Sequence, residues 1–257
     1  MALYKYNGVL LKSKESILLK EKEDFVKLSY FNNYTNSIDT PVYGEPYTIE
    51  NNGHLIKNTM VINDITYPSL KLYGSGYSGK IPIGLDFLSV GTISIDFYVR
   101  INVQGCWATI PSLSNTRWYI PGLWGNFYSS SRGIGSVSTP TSNRPYYYNP
   151  SLRSITFDDQ LLYVNNEIKS DTIFHGAYVY KLIDENTVEQ RIYINGELQT
   201  IYRYSKSLIT NNNLCFDSNY SSNCYVEFTQ LAIRIGDYSI NEGQNFPVPT
   251  EPYHNWE

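Results

Sequence analysis

From residue 25 onward, apolar and polar positions alternate with the period of two that marks a strand with one buried face. The cleanest run is 91–102, where Ile93, Ile95, Phe97, Val99 and Ile101 alternate with Ser94, Asp96, Tyr98 and Arg100. Further strands are predicted over 25–31, 55–63, 69–73, 154–157, 160–165, 173–183, 188–194, 197–204 and 225–235. In 188–194, Val188, Gln190, Ile192 and Ile194 alternate with Glu189, Arg191 and Tyr193. Asn195-Gly196 follows, a pair that accepts the positive φ of a type I′ hairpin turn. Leu198, Thr200, Tyr202 and Tyr204 then carry the return strand. In 225–235 the apolar phase slips from Val226 and Phe228 to Leu231, Ile233 and Ile235. One inserted residue near Thr229-Gln230, a β-bulge, accounts for the slip. A late hairpin followed by a long terminal strand predicts an all-β sandwich of two antiparallel sheets.

Two segments depart from this pattern. Residues 1–24 hold a dense charge run, Lys12-Ser-Lys-Glu-Ser-Ile-Leu-Leu-Lys-Glu-Lys-Glu-Asp24, which suits a short amphipathic helix. It reads equally as a solvated lead-in packed on the domain or as an attachment arm. No helical pattern of any strength, no solenoid repeat and no dividing linker follows, so 25–257 reads as one domain. Within it, 105–148 is an aromatic loop insertion holding Trp107, Trp118, Tyr119, Trp124, Tyr128, Tyr146, Tyr147 and Tyr148 among Gly, Ser, Pro and Asn. Sugar rings stack on such side chains while Asn, Asp and Arg bond their hydroxyls, so these eight are candidate carbohydrate or partner contacts. The same residues equally suit a core beneath a long loop or a subunit interface.

Composition changes the picture modestly. A chain of 257 residues with 42% hydrophobic positions supports a sizeable core, and 25 Tyr suit strands with contact faces. Twenty Lys+Arg against 24 Asp+Glu leave a net charge of −4, which gives no basic footprint for nucleic acid. No window approaches the roughly 18 apolar residues of a membrane span. The first residues, Met-Ala-Leu-Tyr-Lys-Tyr, lack a signal-peptide core, so synthesis without Sec export is expected. Cys106, Cys215 and Cys224 make an odd count. A Cys215–Cys224 bridge between neighbouring strands is one reading, and a reducing compartment is the simpler one.

Catalytic chemistry is thin. His54, His175 and His254 are scattered without zinc spacing, and no Gly-x-Ser-x-Gly elbow occurs. Asp158-Asp159, Asp184-Glu185 and Glu227 would need the fold to pair them as glycosidase carboxylates. Gly74-Ser-Gly-Tyr-Ser-Gly79 fits the letter of a dinucleotide loop, but Pro82 and Gly84 oppose the helix it requires. It reads as a glycine loop between strands. No cofactor is expected; calcium is the cation that Asn211 to Asn213 with Asp217, or Asp158-Asp159, would suit, and the same residues are ordinary turn formers.

The strand Thr92-Ile-Ser-Ile-Asp-Phe-Tyr-Val-Arg100, the hairpin Ile192-Tyr-Ile-Asn-Gly-Glu-Leu198 and the run Phe228-Thr-Gln-Leu-Ala-Ile-Arg-Ile-Gly-Asp237 resemble the concanavalin-A-like superfamily in its laminin-G-like branch. The ending, from Ala232 through Gly243-Gln-Asn-Phe246 to the Pro-rich 247–253, is similar to that of laminin-G-like modules in tailed-phage and prophage structural proteins. The resemblance implies a concanavalin-A-like jelly-roll sandwich in a virion: a tail or capsid fibre or decoration protein. Other virion proteins, host-surface polysaccharide and a symmetric homo-oligomer would be its partners. A stand-alone lectin-like module is the alternative. Superfamily glucanases carry Glu-x-Asp-x-x-Glu on one strand; this sequence contains no Glu-x-Asp, so that activity is not implied and a non-enzymatic role is expected.

Overall fold

The computed structural model describes residues 4–6, 9–11, 25–51, 54–74, 77–102, 106–113, 127–129, 148–149, 154–157, 160–163, 171–206, 213–219 and 225–249, and between 101 and 163 it gives the backbone alone. The first strands are β1 (Tyr4–Tyr6), β2 (Val9–Leu11), β3 (Phe25–Ser29), β4 (Ile38–Asp39), β5 (Tyr47–Thr48), β6 (Glu50–Asn51), β7 (Leu55–Ile62), β8 (Ile65–Tyr73), β9 (Tyr77–Pro82) and β10 (Thr92–Asn102). They continue as β11 (Cys106–Leu113), β12 (Phe127–Ser129), β13 (Tyr148–Asn149), β14 (Ser154–Phe157), β15 (Gln160–Tyr163), β16 (Ile173–Leu182), β17 (Thr187–Ile194), β18 (Glu197–Ser205), β19 (Asn213–Asn219) and β20 (Tyr225–Ile235). The all-β architecture expected from the sequence is the one found: two large sheets, with β1-β2 and β4-β5 as separate two-stranded pairs.

The first sheet runs β18-β17-β16-β10-β20-β8-β7. Its long strand β20 pairs with β8 over Tyr225–Phe228 and then with β3 over Leu231–Arg234, so β3 takes up the edge where β8 leaves it. The second sheet runs β15-β14-β13-β12-β11-β19-β9-β6. Its pairs are antiparallel except β12 with β13, which meet in parallel at Phe127 and Tyr148. Asn195 (φ 48°) and Gly196 (φ 84°) form the expected tight turn between β17 and β18. The bulge is also present: Asp96 faces Ala232 while Tyr98 faces Thr229, and Gln230 takes φ 53°.

Two local readings needed correction. A single helical turn, α1 (Phe87–Val90), interrupts the strands; Asp86 accepts from the Leu88 amide at 3.1 Å and Gly91 closes it at φ 78°. One turn holds too few residues to display a 3.6-residue period. The glycine run 74–79 leads directly into β9 rather than lying wholly in a loop. Gly79 is a strand residue there, and a side chain is excluded at it because a Cβ would stand 2.2 Å from Cζ of Phe216.

The core fills the space between the sheets. Leu70, Leu72, Ile93, Ile95, Phe97, Val99, Tyr178, Val226 and Phe228 come from the first sheet, and Ile81, Leu214 and Phe216 from the second. Phe228 meets Phe216 and Phe31 edge-on, with centroids 5.0 and 5.5 Å apart. The opposite face of β10 is not solvated, as simple alternation would predict: Ser94, Asp96 and Tyr98 are buried as well. The cover is the segment 236–249, which folds back across β10, β16 and β17. Ser94 Oγ donates to the Gly236 carbonyl at 2.7 Å and accepts from the Tyr238 amide at 3.0 Å. The Phe246 amide donates to Gly196 at 2.8 Å, and Tyr98 Oη donates to Pro249 at 2.5 Å. Phe246 packs with Ala177, Val179 and Tyr193 in a second apolar layer. Burying such a ring stabilises the strap by about 1.5–3 kcal/mol.

Candidate functional site

Of the eight aromatic contact candidates, Trp118, Tyr119, Trp124, Tyr146 and Tyr147 lie outside the described residues. Trp107, Tyr128 and Tyr148 fall on β11, β12 and β13. Leu214 and Phe216 are buried in the core, so alternation along β19 sets Asp217 and Asn219 to different faces from Phe216 and Ser218: the odd positions belong to the outer one. Trp107 pairs with Asn219 on one side and Tyr128 on the other. The register therefore forms one row, Asn219–Trp107–Tyr128, on the face turned away from the core. The next row on that face begins with Thr109 opposite Asp217. Tyr148 pairs with Phe127, one position out of phase with Tyr128, and so belongs to the core-side face.

A second site lies at the edge of the sandwich and was not singled out from the sequence. Residues 42–44 run beside β3, with Val42 and Tyr43 amides donating to the Leu28 carbonyl. A cleft of about 570 Å³ opens there, walled by Phe25, Tyr43, Tyr47, Pro46 and Pro82 with Lys27 and Glu45. A bulge explains how a lysine reaches it. Ile233 faces Lys27 but Arg234 faces Phe25, so Val26 is extra and Lys27 shares the core-facing phase of Ile233.

Lys27 is 3% exposed. Its Nζ donates to the Pro82 carbonyl and sits 3.4 Å from the centroid of the Tyr47 ring. Burial pulls its pKa down to about 7 against the raising influence of Asp39. Asp39 is buried on β4, directly opposite Tyr47 on β5, and accepts from Ser29 Oγ. Burial pushes its carboxyl up, opposed by bonds from Ser29 and Tyr47 and by the Lys27 charge. The sequence signal for this cluster was faint: one charged residue in Phe25-Val-Lys-Leu-Ser29.

Two buried carboxylates, Glu227 and Asp96, are committed to structure. Glu227 is fully buried; Oε2 accepts from Arg100 Nη2 at 2.6 Å and Nε at 3.2 Å, while Oε1 accepts from Ser69 at 2.5 Å and Asn58 at 2.9 Å. Asp96 joins Arg234 to His175, whose Nε2 lies 3.1 Å from Oδ2. His54 packs against Tyr73 with ring centroids 5.1 Å apart and planes tilted by 55°. Among the described residues no three His, Cys, Asp or Glu side chains gather as a metal cluster. The calcium candidates Asp158, Asp159, Asn211 and Asn212 lie outside the described residues, as do Cys224 and His254.

No protein-family model matches the chain, and no curated protein matches it. Solved structures do. The binding domain of botulinum neurotoxin DC in complex with SialylT is 14% identical, with 84% of this chain and 48% of that chain covered at a TM-score of 0.48. The binding domain of Paraclostridial Mosquitocidal Protein 1 is 11% identical, covering 86% and 50% at 0.47. The botulinum neurotoxin serotype D binding domain is 12% identical, covering 86% and 49% at 0.45. The chain thus spans about half the length of the solved chains it matches.

Proposed function

We propose that the chain is a non-enzymatic binding module that contacts carbohydrate through the outer face of its second sheet. The observation that carries this is the row Asn219–Trp107–Tyr128, with Asp217 and Thr109 beside it. Two aromatic residues at adjacent cross-strand positions are the pairing on which sugar rings stack, and an amide and a carboxylate at neighbouring register positions are residue types that bond sugar hydroxyls. A non-enzymatic role is supported by the commitment of Glu227 to Arg100, Asn58 and Ser69, which leaves it no part as a general acid.

A glycan array probed with the wild-type chain and with Trp107→Ala and Tyr128→Ala tests the proposal. Binding to a defined glycan class, weakened at least about tenfold by either change, is expected. Binding that survives both changes overturns the assignment of the face, and an empty array overturns the carbohydrate reading.

The setting we infer is a phage or prophage particle, with residues 1–24 as the attachment arm. This rests on the likeness of the C-terminal run and is tested separately. The chain should co-purify with particles and lose them when 1–24 is removed; a chain found free of particles refutes the setting and leaves a stand-alone lectin.

A further inference from the structure

We infer that the outer face of the second sheet takes a neutral, linear oligosaccharide of about three rings, laid along β19 from the aromatic pair toward Lys80, and discriminates against acidic sugars. This rests on the carbohydrate reading and adds to it the length and the charge of the ligand.

The length follows from register. Leu214 and Phe216 are buried, so Cys215, Asp217 and Asn219 share the outer face of β19. Each belongs to one cross-strand row. Asn219 lies in the row of Trp107 and Tyr128, Asp217 lies opposite Ser78, and Cys215 lies opposite Lys80, which pairs in turn with Glu50. Alternate residues of a strand stand about 6.7 Å apart, so about 13 Å separates the aromatic row from the Lys80 row. One sugar ring covers one row, and a ligand that reaches both ends needs about three. The Lys80 end is open to solvent: Nζ of Lys80 and Oε2 of Glu50 are 3.2 Å apart, with the two side chains 50% and 69% exposed. An ion pair that exposed holds its partners weakly, so the ammonium and the carboxylate can both turn to ligand hydroxyls.

The charge follows from what the sheet carries. Glu50, Lys80 and Asp217 are the only charged residues on its described strands. Lys80 and Glu50 offset each other, and Asp217 remains, in the middle row. An acidic ring crossing that row would bring a carboxylate beside Asp217, and the one cation of these strands is already paired. Like charges at contact distance repel enough, even in water, to cost about fivefold in affinity. A neutral ring brings hydroxyl donors to the same position instead.

Neutral gluco-, manno- and galacto-oligosaccharides of one to six rings are titrated against the full chain, beside oligomers of the corresponding uronic acids. Affinity for a neutral series should rise at least about tenfold from one ring to three and change less than about twofold from there to six. The uronic-acid series should bind at least about fivefold more weakly at equal length. Lys80→Ala should flatten the rise with length while the urea midpoint holds, because the lost ion pair is exposed. Asp217→Asn should narrow the neutral-over-acidic ratio by at least about threefold. Equal affinity at one ring and three, a rise with length that survives Lys80→Ala, or uronic-acid oligomers bound as tightly as neutral ones would each overturn this inference and leave the carbohydrate reading in place. Binding to none of the oligomers, neutral or acidic, would remove the carbohydrate reading and this inference with it.

Discussion

Replacing Glu227 with Gln puts the buried ion pair to a quantitative test. The carboxylate is fully buried and accepts four hydrogen bonds, two from Arg100 and one each from Asn58 and Ser69. Glutamine keeps the shape but replaces one acceptor oxygen with an amide donor. Turned toward Arg100 the amide would meet a donor; turned toward Asn58 and Ser69 it meets a side-chain amide and a hydroxyl that can reorient to accept, so the loss is chiefly that of the charge facing Arg100. Breaking a buried pair by neutralising one partner costs about 3–5 kcal/mol. The Arg100 side chain is 28% exposed and can regain water, which places the cost near the lower bound, about 3 kcal/mol. Arg203→Ala supplies the contrast. Arg203 bonds Glu189 at 2.8 Å, but its side chain is 64% exposed and Glu189 keeps Arg191 at 3.0 Å. Solvent screening reduces that loss to about 0–1 kcal/mol. Urea unfolding at pH 7 measures both, with an unchanged slope as the check that only stability moved. A Glu227→Gln variant within about 1 kcal/mol of wild type, or an Arg203→Ala variant equally costly, would refute the reasoning.

Phe246→Ala should destabilise by about 3–5 kcal/mol in the same assay and increase amide exchange along β16 and β17, since the ring anchors the strap against Tyr193. Gly79→Ala forces a methyl into the Phe216 ring and should cost about 1–3 kcal/mol, read as a lower urea midpoint. Lys27 has a folded pKa of about 7 and an ordinary value of 10.5, so between those values the unfolded chain binds more protons. Stability therefore rises with pH across that window in the wild type. Lys27→Met should lose this rise, and parallel stability curves for the two proteins from pH 7 to 10 would contradict the assignment.

The period-two pattern was legible where one face of a strand meets the core, as in β10 and β17, and the Asn195-Gly196 turn and the bulge near Gln230 could be placed from residues alone. What alternation could not show was the cover over the second face of β10. Ser94 and Asp96 look solvated in sequence because their partners lie far along the chain: Arg234 near the end of β20, and Gly236 and Tyr238 in the turn-rich segment after it. Lys27 was hidden for a related reason. The extra residue at Val26 turns Phe25 and Lys27 to opposite faces, and β3 alone carries no sign of that bulge; it exists only in the pairing with β20. The aromatic richness of 105–148 was visible, but the split of Tyr128 and Tyr148 between faces follows from register, which composition does not encode.

The central claim, carbohydrate contact by the outer face of the second sheet, is tested most directly by titrating the tryptophan fluorescence of the full chain with bacterial surface polysaccharides, with Trp107→Ala alongside. The account predicts a saturable change for at least one polysaccharide that disappears in Trp107→Ala while the urea midpoint stays within error of wild type. A saturable change of equal size and affinity in Trp107→Ala, or none with any polysaccharide, would contradict it.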